Sequence, residues 1–381
     1  MTPQKKIRVF MVEDSAVARA MLVHVLRSDP ELEVVGCAAD GEEAMQTLGA
    51  LDETQWPHVI TMDIHMPKMD GFETTRRIME THPVPIVVVS ASARPDDTEQ
   101  AFRVMDAGAV SILEKPPGIG HRDHAETCAK LIRTVKLMSE IRVVKRWRRP
   151  RAEKISSAPG ATTEFNGALN SEVSSLAAIK PAAASRIELV AIGASTGGPP
   201  VLGTILGAMR KNFRVPILIV QHIAPGFVGG LVEWLAHTTG QQVHLAEHGM
   251  RPASGHVYVA PDDKHLTVEN SGRIFLSDAP TENGLRPAVS VLFRSVAKNF
   301  GSHAAGVLLT GMGRDGADEL KTMRERGAIT FAQDRESSII FGMPGEAVKL
   351  RAAMHVLPPL AIAAALDTLL NSAENDSAKQ S

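Results

Sequence analysis

The chain has 381 residues, 44% of them hydrophobic and 22% charged, with a formal net charge of −2. That length exceeds one ordinary domain, so two are expected with room for a connection between them. The near-neutral balance gives no global attraction to nucleic acid or to an anionic membrane. No window approaches the ~18 consecutive apolar residues that would insert into a bilayer.

Cys37 and Cys128 stand apart without metal-ligand spacing, as reduced thiols of a cytoplasmic protein would. The start passes from Lys5-Lys6 straight into a short apolar run, without the longer apolar region and cleavage site of a signal peptide. In chain order, Ile7 to Val12, Val59 to Met62, Pro85 to Val89 and Val110 to Leu113 read as strands. Helix-period stretches such as Ala16 to Leu26 and Glu42 to Leu48 lie between them. The alternation predicts a doubly wound parallel-sheet α/β domain over residues 1–125. Residues 126–185 read as a helix end and a flexible linker, the linker proper being the Ala/Ser-rich stretch 152–185. The basic run Lys145 to Arg151 reads as a solvated helix end. A second parallel-sheet α/β domain is expected over 186–370, with strands at Ile187 to Ile192, Val215 to Val220, His256 to Ala260, Ala305 to Leu309 and Ala328 to Ala332. Residues 371–381 read as a polar tail.

In parallel sheets, reactive groups gather at the carboxyl ends of strands. In the first domain those ends carry Glu13 and Asp14, Asp63, Ser90 and Lys115-Pro116. Converging carboxylates repel one another unless a hard divalent cation such as Mg2+ sits among them. A carboxylate can then accept a phosphoryl group, with lysine and metal neutralising its charge. Taken singly, each acid would read as a solvated loop residue. The full set, together with the loop Met66-Pro67-Lys68-Met69-Asp70-Gly71, resembles the response-regulator receiver family over about residues 6–123. The resemblance implies phosphorylation at Asp63 by a sensor histidine kinase, a Mg2+ site at Glu13, Asp14 and Asp63, and phosphate sensing by Ser90 and Lys115. Ile112 stands where receivers usually carry an aromatic residue.

In the second domain the first strand runs into Gly193-Ala194-Ser195-Thr196-Gly197-Gly198 and then an apolar helical stretch. This satisfies G-x-S-x-G in its strand, turn and helix context. Neither the dinucleotide G-x-G-x-x-G nor a P-loop is present. The motif alone leaves a nucleophile elbow and a structural glycine turn both open. His222 follows the next strand and is the leading base. Asp315, in the loop Thr310 to Gly316, is the leading acid, with Asp318 and Asp334 as alternatives. His244, His248, His256 and His265 read as surface or rim residues. The order Ser, His, Asp is not that of α/β-hydrolases.

These residues, with Gln221-His222, Val257 to Pro261, Leu309 to Gly313 and Phe341 to Pro344, resemble the catalytic domain of the chemotaxis protein-glutamate methylesterases. The resemblance spans nearly all of residues 187–370. It implies a phosphorylation-activated serine esterase acting on glutamate methyl esters of chemoreceptors, with glutamine deamidation by the same acyl chemistry. It also implies backbone oxyanion donors at Thr196 and Met312, and no cofactor for the esterase. Arg286 to Ser290 reads Arg-Pro-Ala-Val-Ser where that family usually has Arg-Pro-Ser-Val-Asp. The competing classes are a receiver coupled to another acyl hydrolase, a phosphorylation-switched binding module with a relic triad, and a DNA-binding regulator. The last lacks a helix-turn-helix pattern after the basic run.

Overall fold

The computed structural model describes residues 6–90, 95–141, 143 and 186–371. The run 145–151, the expected linker over 152–185 and the tail past Asn371 lie outside the described residues. Two compact units divide the chain, each built on its own sheet.

The N-terminal unit has strands β1 Ile7–Val12, β2 Leu32–Ala38, β3 Val59–Met62, β4 Ile86–Ser90 and β5 Ser111–Glu114, all parallel in the order β2-β1-β3-β4-β5. β3 and β4 are buried along their whole length because helices cover both faces, hence their β-branched runs. Five helices alternate with the strands: α1 Ala16–Arg27, α2 Gly41–Gly49, α3 Gly71–Thr81, α4 Pro95–Ala107 and α5 His124–Met138. Three of them start at a polar cap: Ser15 accepts the Ala18 N–H, Asp40 that of Glu43, and Asp70 that of Glu73. The α5 helix crosses the boundary expected at residue 125. Its Leu131, Val135 and Met138 are buried and it packs on α1, β3 and β4, so the unit's core reaches Met138.

The C-terminal unit is a seven-stranded parallel sheet in the order β14-β13-β12-β6-β7-β9-β8. Its strands are β6 Leu189–Ala194, β7 Ile217–Gln221, β8 Gln242–Leu245, β9 His256–Val259, β12 Ala304–Leu308, β13 Ile329–Gln333 and β14 His355–Leu357. A separate antiparallel hairpin, β10 His265–Val268 with β11 Ile274–Ser277, packs beside the helix Val289–Asn299. From β6 the chain passes to β7, then to the edge strand β8 and back to β9 between them, and later crosses to β12, β13 and β14 on the other side. β6 is therefore where strand order reverses, the place in an open α/β sheet where ligands bind. β1 and β3 flank the equivalent point in the first unit.

Candidate active site and phosphoacceptor site

In the N-terminal unit, β1 and β3 pair in register Val12 with Met62, so Glu13 and Asp63 leave adjacent strand ends together. The carboxylate oxygens of Glu13, Asp14 and Asp63 lie within 4.8 Å of one another. Lys115, following β5, places its Nζ 2.8 Å from both Glu13 and Asp63. Asp63 Oδ1 also accepts the Ile64 N–H at 2.7 Å. Burial pushes the Glu13 carboxyl up, the Lys115 bond opposes this, and the Asp63 charge adds to the rise. Burial works against the Lys115 charge, but its bonds to Asp63 and Glu13 outweigh that and hold the ammonium firmly protonated. Ser90 closes β4, buried, beside this group in sequence of strands. Three carboxylates facing one ammonium leave net negative charge on a half-buried rim. That donor set, all hard oxygen, suits Mg2+.

In the C-terminal unit, β6 lies between β12 and β7, with Gly193 paired to both Leu308 and Val220. The next register pair joins Ala194 with Gln221, and the His222 N–H continues the ladder to Ala194 O at 2.9 Å. Ser195 and His222 therefore emerge from neighbouring strand ends. The Ser195 N–H donates to Thr310 O at 3.0 Å, which fastens the serine to the loop after β12 as well. Gly197 turns the chain with φ +77°, a left-handed conformation that an L side chain resists, and the helix Gly198–Ala208 begins after it. Gly311 is required by proximity: a Cβ there would stand 2.6 Å from Ser195 Cβ and 2.4 Å from Met343 Sδ.

Asp315 is 5% exposed and held on three sides. Its Oδ2 accepts the Val289 N–H at 2.7 Å and its Oδ1 the Ser290 N–H at 3.0 Å, both from the first turn of the helix Val289–Asn299. His222 Nε2 stands 2.9 Å from Asp315 Oδ2, in a close approach that falls outside hydrogen-bond angles. Burial disfavours the Asp315 anion, but His222 and the Ser290 donors outweigh it and keep the carboxyl below its ordinary value. The positive end of the helix acts in the same sense. Nε2 is thus the His222 ring nitrogen turned to Asp315. Among the described residues, the backbone N–H groups of Thr196 and Met312 meet no protein acceptor, and the Ser195 hydroxyl makes no hydrogen bond.

The alternatives to Asp315 are engaged elsewhere: Asp318 is paired with Arg314 at 2.6 Å, and Asp334 accepts the Ser337 N–H at 3.1 Å. His244 and His256 stack and share a 2.8 Å hydrogen bond, and His248 is an exposed residue bonded to Leu276 O. His265 departs from the rim position expected of it: it is 1% exposed. Its Nδ1 accepts the Ala288 N–H and its Nε2 reaches Pro280 O at 3.1 Å, so it pins the segment leading into the helix that clamps Asp315. Gln221, Thr310 and Ser290 stand in motifs quoted from the sequence but had no role assigned to them, and Gln333 was not singled out. Thr310 Oγ1 donates to Thr196 O and accepts the Ile340 N–H, while Gln333 Oε1 accepts the Thr310 N–H. The available signal was a carboxamide closing each of two fully buried strands, β7 and β13.

A serine, a histidine and a clamped aspartate at the strand ends of one sheet, with a carboxylate cluster and lysine at those of another, are the residue types that a receiver-linked hydrolase carries. Residues 9–121 match the response regulator receiver domain family, and residues 190–366 match the CheB methylesterase family. A protein-glutamate methylesterase/protein-glutamine glutaminase of Geobacter metallireducens is 50% identical over 364 residues, covering 95% of this chain and 99% of that protein. A protein of the same description from Nitrosospira multiformis is also 50% identical, over 96% of this chain and 97% of its own length. Among solved structures, the CheB methylesterase catalytic domain of Thermotoga maritima is 37% identical, covers 48% of this chain and 98% of that domain, and has a TM-score of 0.47. The chain belongs to the protein-glutamate methylesterase/protein-glutamine glutaminase family. No helix among the described residues is long and apolar enough to cross a membrane.

Proposed function

We propose that this chain hydrolyses glutamate methyl esters on chemoreceptors, and deamidates receptor glutamines, under control of phosphorylation at Asp63. The reading is supported by the strand register, which brings Ser195 and His222 off the neighbouring ends of β6 and β7, and by His222 Nε2 standing 2.9 Å from Asp315 in the loop after β12. Ser195 Oγ attacks the γ-carbonyl while His222 takes its proton. Asp315 holds the ring orientation and stabilises the imidazolium. The free N–H groups of Thr196 and Met312 receive the oxyanion. Methanol leaves from an ester, or ammonia from an amide, with the proton returned by His222. Water then enters by the same route in reverse, and the glutamate is released with a free carboxylate.

In the receiver, Glu13, Asp14 and Asp63 would hold Mg2+, which when bound supplies charge neutralisation for phosphoryl transfer. An Asp63 carboxylate oxygen attacks the phosphorus of the kinase's phosphohistidine, the P–N bond breaks and the kinase imidazole leaves, and Lys115 and Ser90 bond the acquired phosphoryl oxygens. The cytoplasm, where such donors and receptor tails reside, is the compartment this chemistry requires.

Methanol release from methylated receptor membranes, with and without a phosphodonor, tests the reading. Wild type is expected to release methanol faster with the donor. Ser195→Ala is expected to lose at least ~10^3-fold while Asp63 still takes up phosphate. Retention of most activity by that variant would sink the assignment.

A further inference from the structure

We propose that Gln221 is a positioning residue for the reaction, holding the nucleophile and its base in register through one buried carboxamide. The inference rests on the esterase reading of the Ser195 site. Gln221 closes β7, is 3% exposed, and directs its side chain back over the strand end. Its Nε2 donates one hydrogen to Ser195 O at 2.8 Å and the other to His222 O at 2.7 Å. A single amide group therefore ties together the backbone carbonyls of the two residues between which a proton must pass.

Two further features separate this brace from ordinary core packing. Gln221 Oε1 is buried and meets no donor among the described residues. A leucine of similar size would avoid that cost, so the carboxamide is kept for what its NH2 does. The turn is also shaped around it: a Cβ at Gly198 would come within 2.1 Å of Gln221 Oε1. The second glycine of the turn is thus explained by the side chain it leaves room for. Ser195 O already accepts the Gly198 N–H at 2.8 Å, which closes the turn by itself. What Gln221 adds is the link from that turn to His222. Displacing a reacting group by about 1 Å can cost on the order of 10^2 in rate, which is the effect a brace of this kind prevents.

The full-length chain carrying Gln221→Leu or Gln221→Glu tests this, using the second-order rate at which a fluorophosphonate modifies Ser195, with fluoride as leaving group. The label count at completion gives the number of folded sites, so a variant with reduced folded yield is still read per site. Gln221→Leu is expected to label roughly 10- to 100-fold more slowly per site and to lose kcat for methanol release in parallel, with KM changed less than about threefold. Gln221→Glu keeps the size but donates only when protonated. Its rate relative to wild type is therefore expected to rise as pH falls, a dependence that packing alone would not produce. Wild-type rates per labelled site in both variants, with loss confined to thermal stability, would overturn the brace. Wild type that labels but releases no methanol would refute the esterase reading and leave the labelling comparison to decide the brace.

Discussion

The two units place their chemistry at the same topological position and prepare it in opposite ways. At the rim of the N-terminal sheet, three carboxylates share one lysine, and burial pushes Glu13 toward its neutral form. At the rim of the C-terminal sheet, the one buried acid, Asp315, is satisfied by two helix N–H groups and kept ionised. The first site is left short of positive charge, so an arriving cation or phosphoryl group changes its energy substantially. The second carries its compensation within the fold, so little need move when substrate arrives. A switch and a catalyst are thus distinguished by where the counter-charge comes from.

The strongest way to break this comparison is to remove the pre-paid charge. Asp315→Asn is expected to lower kcat for methanol release by about 10^4-fold, because the amide favours the wrong His222 tautomer. Phosphate uptake at Asp63 should be unchanged. A loss under tenfold would mean that the clamp on Asp315 serves folding alone.

A smaller effect is expected from the cation. Mg2+ at about 100 times its Kd should raise the protection of β1 and β3 amides against hydrogen exchange by about 2.7 kcal/mol, without altering β6, β7 or β12. Asp63→Asn should remove most of that response. In metal-free buffer the same substitution should raise N-terminal protection by about 1 kcal/mol, since it takes one charge from a repelling set. Protection gained equally in both sheets would refute the division.

Acid provides the gentlest test. Asp315 has a folded-state value below its ordinary 3.8, so the unfolded chain binds more protons in that range. Its contribution is present above about pH 4 and is lost as pH falls through the lowered value. Glu13 lies above its ordinary 4.5, so the folded N-terminal unit binds more protons and its penalty is relieved as pH falls toward that range. Amide protection followed downward from neutral pH in metal-free buffer should therefore improve slightly in β1 and β3 before it declines in β6 and β12. The reverse order would contradict the assigned shifts.

Much of the sheet was legible, although bounds moved. The strand expected at Ile187 to Ile192 runs Leu189–Ala194, and that expected at Ala305 to Leu309 runs Ala304–Leu308. Strands buried on both faces form apolar runs that propensity locates, but the partner strands decide where pairing stops. Those left unnamed were β2, β8, β14 and the β10–β11 hairpin. β2, β8 and β14 are sheet-edge strands with exposed positions such as Val35, Leu245 and Val356, and they lack a buried run's signature. His265, expected at the rim, is buried for a related reason: its ring is held by hydrogen bonds to Pro280 and Ala288, distant in the chain.

The residue types able to do the chemistry, and the strand ends that carry them, follow from the sequence itself. Ser195, His222, Glu13, Asp14, Asp63 and Lys115 each stand just past an apolar run, and a parallel sheet delivers such positions to one edge. The sequence favours Asp315 by its glycine-rich loop at a strand end, but only the tertiary structure engages Asp318 with Arg314 and Asp334 with Ser337. Only the tertiary structure, likewise, supplies the helix N–H groups that keep Asp315 ionised, and the Gln221 amide across two carbonyls. These depend on strand order and on backbone groups, and backbone groups carry no signature in the residues that use them.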